Sequence, residues 1–149
     1  MYSTLLVVHS WLRWVALAAV VLVFLRAVRG AMSSAPWTKS DFTWMKGAAH
    51  ALTAQVMIGV VLYAVSPYIR SLLANMGTTM SERGSRLFAV EHGVVMILAV
   101  ALTHIGAARV AKAADDKSKH ARAAVFFGVA LLLIGYGIPW MRPMFRMGM

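Results

Sequence analysis

The sequence predicts an all-α fold, an integral membrane four-helix up-down bundle, and three observations carry that prediction. Of 149 residues, 60% are hydrophobic and 13% charged. The apolar residues gather into four stretches long enough to cross a bilayer, separated by short polar connections. Four of the five histidines, His9, His50, His92 and His104, lie inside those stretches. There an ionisable ring is costly and marks a functional position by default.

The first stretch runs from Leu5 to Val28. It lacks a basic leader region and exceeds the apolar core of a signal peptide, so it reads as a spanning helix. The second runs from Ala48 to Tyr68, the third from Leu87 to Ala111 and the fourth from Ala123 to Met141. Each supplies about 20 residues or more, which at 1.5 Å per residue crosses a hydrocarbon core of about 30 Å. The connection from Arg29 to Lys46 carries Ser33, Ser34, Pro36 and Trp37, and the one around Asp115 to Lys119 is a charged turn. Only the connection from Ser66 to Arg86 has room for an extra helix, expected over Tyr68 to Met76. All 149 residues form one transmembrane domain.

The formal charge is +10. The basic residues are dispersed around the ends of apolar segments and form no stripe among aromatics, which reads as membrane anchoring and argues against nucleic acid. Nine lysines and arginines fall in the first and third connections, against five in the second connection and the C-terminal tail, with Arg13 inside the first helix. That bias predicts both termini on the outer, periplasmic side of a bacterial inner (cytoplasmic) membrane. Trp11, Trp14, Trp37, Trp44 and Trp140 read mostly as interfacial belt residues, with Trp11 and Trp14 alternatively walling a cofactor. Cysteine is absent, which removes disulfides, thiolate metal sites and covalent haem attachment from the reachable chemistry.

The histidines sort by depth. His9 and His92 lie a few residues inside the outer ends of helices one and three, and His50 and His104 lie comparably near the inner ends of helices two and three. Along helix three the two levels are roughly 18 Å apart. Paired imidazoles at two heights are the donor set for two haems, each gripped on both faces. Small residues flank these positions: Gly47, Ala51, Thr53 and Ala54 near His50, Gly93 after His92, and Ala101, Gly106, Ala107 and Ala108 near His104. They permit a flat ring to approach the backbone, and they equally permit ordinary helix packing. Arg13, at i+4 from His9, shares that histidine's face and suits a propionate. Glu91 is its protein alternative, or a group that orients an imidazole or handles a proton near a quinone.

One difficulty is visible at this stage. Twelve residues leave His92 and His104 about 120° apart around their helix. They cannot face one neighbour, and a bulge near Gly93 or a non-sequential helix order is the expected remedy.

The run His9-Ser10-Trp11-Leu12-Arg13-Trp14, followed by three more helices with intramembrane histidines, resembles the small four-helix b-type cytochromes of bacterial membranes. More broadly it is similar to di-haem, quinone-linked cytochrome b subunits. The resemblance spans the chain as an architecture, with the hexapeptide as its local match. It implies two non-covalent haem b groups with His9, His92, His50 and His104 as axial ligands. It also implies electron transfer with a quinone or with other subunits of a respiratory or photosynthetic complex, and no bond-breaking catalysis by the chain itself. The departure is that helix three carries two ligands and helix four none.

Other readings remain beside this one. The histidines and Arg13 could make interhelical contacts in a non-redox accessory subunit. Met141, Met144, Met147 and Met149 could bind copper or cover lipid. Gln55, Tyr63 and Thr103 read as hydrogen-bonding groups between helices, with quinone contact as their alternative. His120, in the charged inner turn, reads as solvated, with a fallback role as an inner ligand.

Overall fold

The computed structural model describes residues 1–140. Six helices form, with no strand among the described residues: α1 (Tyr2–Ser33), α2 (Lys39–Val65), α3 (Pro67–Ala74), α4 (Met76–Ser81), α5 (Arg83–Ala111) and α6 (Asp116–Gly137). Four of them, α1, α2, α5 and α6, are long and apolar enough to cross a membrane. The protein is therefore a multi-pass membrane bundle.

The spans outrun their apolar stretches at several ends because local chemistry sets the boundaries. Thr38 starts α2 ten residues before Ala48: its hydroxyl accepts from the Asp41 N–H while its own N–H donates to the Asp41 carboxylate at 2.9 Å. Ser66 precedes Pro67 in extended backbone and closes α2 at Val65. Asp115 opens α6 by accepting from the Ser118 N–H. α1 ends on Ser34 in the left-handed region, φ 51°. The extra helix expected between the second and third spans is two short ones, α3 and α4, and Pro67 supplies the favoured N-terminal residue of the first. The last span stops at Gly137, short of the expected Met141, because Pro139 cannot continue the hydrogen-bond ladder.

α1 packs against α2 and α6, and α5 packs against the same two, so α1 and α5 are diagonal in a sequential up-down bundle. The core is a set of seams: Ala16, Val20, Val23 and Ala27 on α1; Ala99, Thr103, Gly106 and Val110 on α5; Ala123, Phe127, Ala130 and Ile134 on α6. The alternating spacing of three and four is that of knobs-into-holes packing, and the many alanines let backbones approach. The same faces meet at Gly106, where an added Cβ would lie 2.5 Å from Phe126 Cβ.

The start of α1 and the end of α6 lie at one end of the bundle together with α3 and α4. The α1–α2 and α5–α6 connections lie at the other. Each end is clamped by a polar pair. At the connection end Arg26 donates to Asp41 Oδ1 at 2.7 Å, joining α1 to α2. At the terminal end Glu91 accepts from Arg86 at 2.7 Å and from the Tyr136 hydroxyl at 2.9 Å, joining α5 to α6.

Candidate functional site

α5 carries both central histidines, and its backbone is not uniform. A π turn spans Leu87–Glu91, closing on the His92 N–H donating to the Leu87 carbonyl. Inside that turn the Ala89 carbonyl accepts the Tyr63 hydroxyl from α2 at 2.7 Å. Tyr63 thus serves the hydrogen-bonding role read from its type. The turn lies just before His92, not between His92 and His104, where the helix is regular. The bulge and the reordered helices expected from the 120° offset are therefore not what resolves it. The two rings simply address different neighbours. His92 turns to α6, where its Nδ1 meets the Gly137 carbonyl at 2.7 Å, and His104 turns to α2, where its Nε2 meets Thr53 Oγ1 at 2.9 Å.

At the terminal end the structure gathers His9, Arg13 and His92 close enough to interact electrostatically. His9 comes from α1 and His92 from the diagonal helix α5. The His9 ring lies over Gly59 of α2, where an added Cβ would stand 3.3 Å from its Cε1. Gln55, one turn before Gly59, donates to the His9 carbonyl at 2.8 Å and ties α2 to this level. His9 Nδ1 is buried and has no hydrogen-bond partner among the described residues.

His92 is better defined. A carbonyl only accepts, so His92 Nδ1 carries the proton and Nε2 keeps its lone pair. Phe88 stacks on the ring at 6.3 Å and 15°. Glu91 does not orient this imidazole, which was one of the roles open to it from the sequence. Its carboxylate belongs to Arg86 and Tyr136 on another side of the helix, and the orienting acceptor is main chain. Arg13 stacks its guanidinium over the Trp14 ring, 5.5 Å from the centroid.

At the connection end His50 and His104 stand ring to ring, with centroids 5.8 Å apart and planes at 67°. Both are exposed along the α2–α5 seam. Thr53 gives its hydroxyl proton to the Ala49 carbonyl at 2.9 Å, so it accepts from His104 Nε2. One turn before His50, a Cβ on Gly47 would meet nothing within 4 Å.

His120 overturns its reading as solvated. It is only 3% exposed, edge-on to Trp37 at 4.8 Å, and neither ring nitrogen has a hydrogen-bond partner among the described residues. Nothing in its position in a charged turn announces this, because burial comes from Trp37 folding over α6 and from Gly30 yielding room on α1. The tip of the ring faces Gly30, so His120 is directed away from the His50–His104 pair's seam. Trp37 is correspondingly a packing residue and not an exposed belt residue. Thr103 bonds within its own helix, to the Val100 carbonyl, and not across helices. Met141, Met144, Met147 and Met149 lie outside the described residues.

The donor set suits iron held between imidazoles. His92 offers a bare Nε2 and His9 a buried, unsatisfied nitrogen. These residues could hold haem at each level, and at the connection end His104 Nε2 would first have to leave Thr53. Among the described residues no group of three or more histidines and carboxylates converges. Comparison with protein families, curated proteins and solved structures finds no match to this chain.

Proposed function

We propose that the protein is a membrane b-type cytochrome that moves electrons between two levels of the bilayer. Haem, when bound, supplies reversible one-electron chemistry. His9 and His92 hold the group at the terminal end, and His50 and His104 hold the one at the connection end. Arg13 places a positive charge beside the first level, where it favours a propionate. The apolar spans exclude water from both. Orientation follows the basic bias, with the connection end in the cytoplasm of a bacterium. The chain works as a subunit of a respiratory or photosynthetic complex or exchanges electrons with a quinone.

The observation that carries this reading is the meeting of the His50 and His104 imidazoles from different spans at one end of an apolar bundle whose other end carries His9 and His92. A histidine pair left along a lipid-facing seam, as His50 and His104 are, is costly unless something covers it. The test is an absorption spectrum and haem assay on protein purified with ample haem supply. Two haems per chain are expected, and a missing Soret band ends the proposal.

A second reading has its own support. The bonds from His92 to Gly137 and from His104 to Thr53 are also what a non-redox accessory subunit would use to join its helices. That reading expects His92→Ala to weaken assembly in a protein that carries no chromophore.

A further inference from the structure

We infer that the C-terminal turn of α6 is the positioning device for His92, with the Gly137 carbonyl as its working atom and Gly137 and Pro139 as the residues that deliver it. The inference rests on the proposed haem function where it concerns affinity and potential; the tautomer it assigns stands apart from that function.

The last carbonyls of any helix lack intrahelical donors. In α6 they are taken individually. Ile138 N–H serves Ile134. The usual donor to Gly135 would be residue 139, which is proline and has no N–H, and the Trp140 indole donates to that carbonyl at 2.8 Å instead. Among the described residues the Gly137 carbonyl meets a side chain from another helix, His92, at 2.7 Å.

Reaching it requires close approach of α5 and α6. A Cβ on Gly137 would lie 2.6 Å from Met96 Cε and 3.2 Å from Val95 Cγ1, both one turn beyond His92 on α5. An alanine here would need the flexible Met96 tip to swing away and Val95 to give slightly, so glycine is what leaves this contact uncrowded beside the bond. The bond fixes the proton on Nδ1 and aims Nε2 into the site. It also sets the imidazole against the negative end of a helix dipole, which increases the ring's donor strength and favours the oxidised, more positive iron.

The experiment uses the full chain in detergent, first without haem and then titrated with hemin. In the cofactor-free protein, nitrogen NMR of labelled histidine should place the His92 proton on Nδ1. Gly137→Ala should erase that signature. It should weaken hemin binding at the His9–His92 level by about tenfold to a hundredfold and raise the midpoint potential of that component, with the His50–His104 component unmoved. Pro139→Ala leaves the Gly137 packing in place while letting the helix lengthen and offer its own donors to the last turn. It should shift the same NMR signal and potential in the same direction by less, and it serves if Gly137→Ala does not fold. A proton found on Nε2 of His92 in the cofactor-free wild type would overturn the inference, as would a folded Gly137→Ala or Pro139→Ala that binds hemin with unchanged affinity and potential. Failure of the wild type to bind hemin would instead remove the haem function and leave the assigned tautomer to be judged by NMR alone.

Discussion

The imidazole tip of His120 rests on the backbone of Gly30, in the space a Cβ would fill. This contact locks the start of α6 to the end of α1, and the indole of Trp37 closes over it. Gly30→Ala should force the ring out or the helices apart, costing about 1–3 kcal/mol as overpacking does. His120→Leu removes two buried nitrogens that have no partner among the described residues, so it should be neutral to within about 1 kcal/mol or stabilising. Thermal unfolding in detergent compares the two. A His120→Leu protein less stable than Gly30→Ala would mean the imidazole makes a bond that the packing does not reveal.

Substitution should separate the two histidine levels. His9→Ala and His92→Ala are each expected to remove the same haem, and His50→Ala and His104→Ala the other, leaving about one equivalent per chain by pyridine haemochrome assay. Loss of both haems from every variant would leave the pairing without support.

Thr53 holds the nitrogen that His104 would give to iron. Thr53→Val removes the competing hydroxyl while keeping the shape of the side chain. Hemin affinity at the His50–His104 level should stay constant or rise, and the other level should not change. A fall confined to that level would show that the hydroxyl supports the bound state.

Asp41 is 8% exposed and serves two masters, the start of α2 and Arg26 of α1. Asp41→Ala should destabilise by about 1–2 kcal/mol, chiefly by losing the cap. The Arg26 side chain is 47% exposed, so the ion pair adds little beyond that. A double-mutant cycle with Arg26→Ala should return a coupling of about 1 kcal/mol or less. A markedly larger coupling would locate the stabilisation in the salt bridge.

The hydroxyl and N–H of Ser118 hold the Asp115 carboxyl below the usual aspartate range. A depressed folded value means that this stabilisation is present above the unfolded aspartate pKa and is lost as pH falls through the folded one. Wild type should therefore lose this increment only in strong acid. Asp115→Asn keeps a capping oxygen without the titration and should flatten that part of the pH–stability curve. An unchanged acid limb would assign the effect to other carboxylates.

The sequence by itself determined the multi-pass membrane class, the number of spans and which of them carry His9, His50, His92 and His104. Composition and segment length report directly on a solvent 30 Å thick, to within the order of that estimate. Helix ends were poorly legible from apolar runs, which began at Ala48 and Ala123 and ended at Met141, whereas the caps at Thr38 and Asp115 and the break at Pro139 set them in the structure. Faces were not legible, because a span in lipid is apolar on every side and hydrophobic periodicity cannot tell core from membrane. Only the tertiary structure decided that Ala16, Val20, Val23 and Ala27 form the inner seam of α1. It also decided that His92 turns to α6 while His104 turns to α2, that a main-chain carbonyl and not Glu91 orients His92, and that His120 is enclosed. Those outcomes depend on which atoms of distant segments arrive at one place. The Gly137 carbonyl at the end of α6 and the space left by Gly30 acquire meaning only once another helix is packed against them.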